Sequence, residues 1–536
     1  MKMDTSFAHV LRVQTVPRKG AYVTMTVPRR LSVASLAALA AILTAGSAAA
    51  QPAPPAGTPP AAAPSTAAPA AAPPAALPDV GPPPAAPPAP APAAAASPNP
   101  PAQTTNDTEP FAWGDFTWLN GNSRQTKAPL DTPYFTPEIL IDVNYTASLN
   151  NPIDDTVVGS TALSRNNEFT LAFMGFGGDF HYDNARGRIM TQFGVRSTLV
   201  PRNDFSTTRG QFDLQTALRY VSEAYGGYHL PYLHGINIDA GIFMSYVGLF
   251  SYDNYENWMY LPSFTSDNTP WFFNGIRIQI FVTDKLKIEP WIINGWQTYG
   301  MMNNMPGLGF QVAYRPTDWL AMVFSGYFGK DAMGIPHRTR FHTDNSVLVK
   351  YLDNPNGFLS KAAVSLTFDA GCEDGGGVKC AGGTMMEPSQ YFIASMLYNR
   401  FWFDHNLFAF NFGGGVITNP GRYLVLTPPI NGATNFTLSP YFSQAPGDKY
   451  KAWDTTETFD YMPTETFTLR FEYVHRWADV PYFAGHGGVT PQTAPGIYSN
   501  VGAPGSMVPD SAVVTPFKPD LKQSEDRVTV NMLVRI

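Results

Sequence analysis

The sequence predicts an all-β chain: a transmembrane antiparallel up-and-down β-barrel of about sixteen strands, behind a disordered Ala/Pro-rich N-terminal arm. Three observations predict this fold. Charged residues are scarce while aromatics are abundant. Segments of about ten residues alternate in polarity with a period of two. Short turns and long connections follow one another along the chain.

Charged residues make up 14% of the chain and aromatics 13%, against roughly 25% charged in an average soluble protein. Mean hydropathy is nevertheless only −0.13. A wall with one face toward lipid, one toward water and aromatics at the interfaces has this balance; a bundle of membrane helices does not. An aromatic-rich secreted β-domain is the alternative that composition leaves open. The net charge of −7 offers no basic face for phosphate, which argues against nucleic acid as a partner.

Three regions are expected. Residues 1–50 carry an export signal: Arg29 and Arg30 precede an apolar run from Leu31 to Leu43, and small residues lead to Ala48-Ala49-Ala50 before Gln51. This is the order of a cleavable signal peptide, with Met25 as a candidate true start. The apolar run is too short to span a bilayer as a helix. Residues 51–110 are nearly all Ala and Pro, a composition that cannot bury a core and favours polyproline II. A periplasmic linker, with peptidoglycan as a candidate contact, is the functional reading; an inert arm is the bland one. Residues 111–536 form the barrel.

Alternation identifies the strands. In the last segment, Val528, Val530, Met532 and Val534 lie on one face and Thr529, Asn531, Leu533 and Arg535 on the other. Such a closing strand is what the outer-membrane barrel-assembly machinery reads, although Ile536 stands where an aromatic is usual. Ile276, Ile278, Ile280 and Val282 alternate with Arg277, Gln279 and Phe281, and Phe467, Leu469, Phe471 and Tyr473 with Thr468, Arg470, Glu472 and Val474. The same criterion predicts strands over 185–199 and 210–223, the second from Phe212, Leu214, Thr216, Leu218 and Tyr220. Short turns are expected near 183–187, 229–235, 283–285, 316–318, 353–357, 403–405 and 461–464, and long connections over 248–270, 329–342, 371–388, 418–450 and 476–523. With a first strand at 138–149 and a last at 524–536, the hairpins give about sixteen strands, an even number with both termini at the short-turn end. A barrel of that size has room for an aqueous channel.

Few residues offer chemistry. Cys372 and Cys380 flank a Gly-rich segment and would meet an oxidising compartment after export, so a loop disulfide is expected. No His lies between them, and the spacing fits no common zinc pattern. Charges facing lipid cost about 2–4 kcal/mol each for Arg or Lys near the midplane, so alternation turns them inward. Candidate pore-lining residues are Arg188 and Arg196, Asp213 and Arg219, Arg277, Lys287 with Glu289, and Arg470 with Glu472. They either set solute selectivity or pair to hold the wall. The segment from His475 to Thr490, with two His and several aromatics, either narrows the lumen or is an ordered surface loop. Gly-x-Ser-x-Gly, His-Glu-x-x-His and Walker A motifs are all absent, so no enzyme and no cofactor are expected.

The run Phe111-Ala112-Trp113-Gly114-Asp115-Phe116-Thr117-Trp118-Leu119, the His475–Thr490 segment and the closing strand together resemble the OmpL-like family of β-barrel porins. The resemblance covers nearly all of 111–536 and implies a porin-like barrel without supplying an active site. The expectation is therefore an integral bacterial outer-membrane porin, contacting lipid and passing small hydrophilic solutes passively through a charged, water-filled lumen. A substrate-specific or plugged channel, a non-conducting adhesin or structural barrel, and a homo-oligomer stay open.

Overall fold

In the computed structural model, residues 110–536 are described apart from 161, 202–203, 205, 207–211, 333, 420–422, 424–449, 490–491, 495–496 and 499–519. The expected signal and Ala/Pro arm lie outside the described residues. Sixteen antiparallel strands close into one barrel. They are β1 (Phe135–Ser148), β2 (Phe169–Tyr182), β3 (Ala185–Thr191), β4 (Val221–Leu230), β5 (Ile236–Met244) and β6 (Phe272–Thr283). Next come β7 (Leu286–Ile293), β8 (Gly307–Thr317), β9 (Leu320–Gly329), β10 (Thr339–Asp353) and β11 (Leu359–Asp374). The wall ends with β12 (Tyr391–Phe403), β13 (Phe408–Asn419), β14 (Tyr450–Thr464), β15 (Phe467–Ala478) and β16 (Ser524–Arg535). Each strand pairs with its sequence neighbours, and β1 meets β16 from Leu140↔Arg535 to Ser148↔Arg527. Closure leaves no unpaired edge, the condition for β-structure in hydrocarbon. No helix among the described residues is long and apolar enough to cross a membrane.

Alternation sets what faces out. Ile276, Ile292, Phe310, Phe324, Leu366, Ile393, Leu397, Phe459, Val528 and Met532 are exposed on the outer wall, while their strand neighbours are buried or half-buried. Exposed Tyr182, Tyr228, Tyr232, Trp319, Tyr351 and Phe358 lie at or beside the short turns, where an aromatic girdle sits at a membrane interface. The Cys372–Cys380 disulfide is formed. It ties the hairpin after β11, and Cys372 shares the outer face with Phe368 and Leu366.

Two predicted strands differ from the observed ones. The third stops at Thr191, and Arg196 opens a helix, α1 (Arg196–Leu199). The fourth begins at Val221, and the run predicted as a strand holds α2 (Leu214–Leu218). The Asp213 carboxylate caps α2, accepting the Thr216 N–H at 3.1 Å and its hydroxyl at 2.5 Å. Leu214 and Leu218 then pack on one interior cluster with Tyr252 and Tyr299. Their spacing of four suits a helix as well as a strand, and an acceptor at the N-cap decides the matter.

Candidate pore and its lining

The lumen is largely filled, and most of the filling comes from the connection between β5 and β6. Residues 245–271 turn inward: Tyr252, Tyr255, Trp258, Met259, Tyr260, Leu261 and Phe264 are all buried. Asp253 starts a short 3-10 turn (Asn254–Glu256) by accepting the Tyr255 N–H, and Ser263 caps α3 (Phe264–Asp267). These caps let the chain reverse direction while its backbone groups stay satisfied.

One side of the wall clamps this segment. Glu472 on β15 accepts the backbone N–H groups of Tyr260 at 2.6 Å and Leu261 at 2.8 Å. Asp454 on β14 accepts the Ser263 hydroxyl and the Phe264 N–H, each at 2.8 Å. Asp142 on β1 accepts the Tyr260 hydroxyl at 3.0 Å and the Asn254 amide at 3.1 Å. Arginines donate in the other direction. Arg470 reaches the Asn257 carbonyl at 2.7 Å, Arg400 the Trp258 carbonyl at 2.6 Å, and Arg476 the Pro262 carbonyl at 2.6 Å. Asp460, fully buried between Arg400 and Arg470, pairs with both at 2.6 and 2.7 Å. Charge-assisted bonds to backbone groups are strong in a dry interior and fix the path of the segment residue by residue. Burial and the neighbouring Glu256 push the Asp253 carboxyl from 3.8 up to about 7.

The N-terminal segment crosses the short-turn mouth. Phe111 donates its N–H to Asp284 at 2.8 Å, and Trp118 donates its indole N–H to the Asp318 carbonyl at 3.0 Å. Arg124 reaches the carbonyls of Thr464 at 2.8 Å and Phe467 at 2.7 Å. Trp118 packs with Trp258 and Trp402 in one buried cluster, so the segment and the inward connection share a core. Between them, against β6 to β10, lies a cavity of about 370 Å³.

The sequence-derived candidates divide among these surroundings. Arg188 ties four strands, pairing with Glu223 at 2.5 Å, Asp179 at 2.8 Å and Glu138 at 2.9 Å. Arg196 is buried on α1, donating to the Tyr252 carbonyl and toward Asp142 at 3.4 Å. Asp213 and Arg219 stand outside the barrel strands, the latter donating to Thr198 at 2.9 Å. Arg277 faces in, paired with Asp239 at 3.0 Å and stacked on Tyr225 and Phe243. Lys287 pairs with Glu289 at 2.6 Å, and Lys287 also borders the cavity. Arg470 and Glu472 hold the inward segment, as described above. The 475–490 segment closes over its top: Tyr482 and Phe483 pack on Phe264, and Phe483–Ala484 pairs with Leu521–Lys522. Sequence reasoning missed the inward turn of 245–271 and the wall residues Asp142, Arg400, Asp454, Asp460 and Arg476. One signal was present: a water-exposed loop has little use for Tyr252, Tyr255, Trp258, Tyr260 and Phe264 in close succession.

An apolar outer band, a charged inner face, short turns opposite long connections and a long segment folded into the lumen define an outer-membrane barrel of porin type. Residues 137–498 match the family described as "Putative beta-barrel porin-2, OmpL-like", and the chain belongs to that family. It is accordingly an integral outer-membrane, porin-like barrel. A search of the curated proteins found no match. Among solved structures the chain is similar to the outer membrane channel DcaP of Acinetobacter baumannii, with 11% identity, TM-score 0.42, and 78% of this chain and 100% of that one covered. It is also similar to OmpT of Vibrio cholerae, with 9% identity, TM-score 0.39, and 76% and 99% covered. An anion-selective porin from Comamonas acidovorans gives 10% identity, TM-score 0.40, and 75% and 99% covered.

Proposed function

We propose that this protein is an outer-membrane channel for small hydrophilic solutes, narrowed to a passage along the β6–β10 wall. The observation that carries the reading is the inward segment, bound to β1 and β12–β16 on one side and leaving its space on the other. The reading replaces a wide, water-filled lumen with a restricted one, in which solutes diffuse passively past Lys287, Arg315 and the nearby Arg277. On this reading Arg188, Arg196, Arg470 and Glu472 hold the frame rather than choose the solute. Both termini and the Ala/Pro arm lie on the periplasmic side with the short turns, the usual orientation of such barrels.

Single-channel recording in planar bilayers tests this directly. Wild-type protein should give small, stable steps. Replacing residues 249–268 with a short Gly/Ser linker should raise the step size several-fold, because that segment fills the lumen without contributing a strand to the closed wall. If wild type and the linker variant are both silent, the channel reading is wrong. Neutralising Arg277 should move the reversal potential toward cations, while an unchanged value would place it off the passage.

A further inference from the structure

The cavity between the N-terminal segment and the inward connection has a lopsided chemistry. Two cations border it, Lys287 and Arg315, and no Asp or Glu does. Lys287 is neutralised by Glu289 at 2.6 Å. Arg315 is not: among the described residues it makes no ion pair, and no acidic group offsets its burial. Its neighbours are ring faces, with Phe111 at 4.6 Å and Phe116 at 4.9 Å from the guanidinium carbon. Ring faces soften the desolvation of a guanidinium but supply no countercharge. Every other arginine described on the inner faces of β12 to β16 has a carboxylate within reach. Beside Arg315 the lining holds Phe281, whose ring meets Phe111 at 6.1 Å, and Gln311 and Ala313 on the same face of β8.

From this we infer that the cavity binds a small organic anion with an aromatic body. The carboxylate would sit on the Arg315 guanidinium, whose planar fork matches it in two parallel hydrogen bonds. The ring would lie against Phe281 and Phe111, whose rings are 6.1 Å apart beside Arg315, and the volume of about 370 Å³ falls in the range of small-ligand sites. An inorganic anion would satisfy the charge and leave the aromatic lining unused. The inference rests on the channel reading, because the lumen is the route by which a solute reaches the cavity.

Benzoate is the probe, with acetate as its charge-only control and neutral benzyl alcohol as its ring-only control. Two readouts keep the two readings apart. In planar bilayers, benzoate should reduce the chloride current of wild-type channels in a saturable way. In detergent, titration against intrinsic tryptophan fluorescence should report binding even if the barrel proves silent. Acetate and benzyl alcohol should each bind at least about tenfold more weakly than benzoate. Arg315→Gln should weaken benzoate by about ten- to a hundredfold, the loss expected on removing a charge-assisted bond. Arg315→Lys, which keeps the charge and the stack on Phe111, should stay within about tenfold of wild type, and this variant guards against a merely loosened N-terminal segment. Equal affinity for acetate and benzoate overturns the aromatic assignment. Equal benzoate affinity in wild type and Arg315→Gln overturns the site. Silent channels that still bind benzoate through Arg315 overturn the channel reading and leave the site standing.

Discussion

The two sides of this barrel use the same residue types to opposite ends. On β12 to β16 and β1, each inward arginine and carboxylate finds a partner, and several of those partners are backbone groups of the inward segment. On β6 to β9 the inward charges are fewer: Lys287 pairs with Glu289, Arg277 and Arg315 lie over ring faces, and Arg315 faces a cavity without a countercharge. Charge on an inner wall is therefore not a measure of selectivity. What counts is whether the charge has been used up by the protein itself.

The contrast can be broken most severely at Asp460. Asp460→Ala leaves Arg400 and Arg470 buried beside each other without the carboxylate they share, a change that costs about 3–5 kcal/mol. Urea unfolding of the reconstituted barrel should show that loss, and channel recordings should show larger, noisier steps as the segment detaches. An unchanged midpoint would mean that the pair is hydrated rather than dry. Glu472→Ala strips the acceptor from the Tyr260 and Leu261 N–H groups and should cost about 1–3 kcal/mol in the same assay. On the opposite wall, Arg315→Gln breaks no ion pair, so its cost should stay within about 1 kcal/mol, while the reversal potential moves toward cations. A large destabilisation there would erase the distinction between the two sides.

The smallest effect expected is that of pH on the inward segment. Asp253 has its carboxyl raised from 3.8 to about 7 in the folded state, so the folded protein holds that proton more tightly than the unfolded chain. Its contribution to holding the segment is full below the ordinary value and is lost as pH rises toward 7. Open-channel noise should therefore grow between about pH 4 and 7, and Asp253→Asn should flatten the curve. Noise that falls over that range would contradict the sign.

How much of this was legible beforehand follows from the physics of each part. The wall was legible because a period of two is written in every strand, as in Val528 to Val534, and because short turns interrupt it regularly. The 196–218 stretch was not, since Leu214 and Leu218 satisfy both periods and only the Asp213 cap separates them. The cysteine pair was legible from spacing and compartment. The filled lumen was not, because alternation says that Glu472 faces inward and cannot say that Tyr260 will meet it from a connection more than two hundred residues away in sequence. The 475–490 segment, conspicuous in the sequence for its two His and its aromatics, packs on top of that connection.

The inward segment also touches both sides of the place where the barrel closes. Asn254 and Tyr260 bind Asp142 on β1, while Glu256 binds Arg535 on β16 and Tyr260 binds Glu472 on β15. It works as a clasp across a seam. The clasp cannot fasten until the last strands to be synthesised have met the first, so a docked segment certifies that assembly is finished. The same contacts must be undone before the seam can part. The element that restricts the opening thus also makes the finished wall slow to come apart.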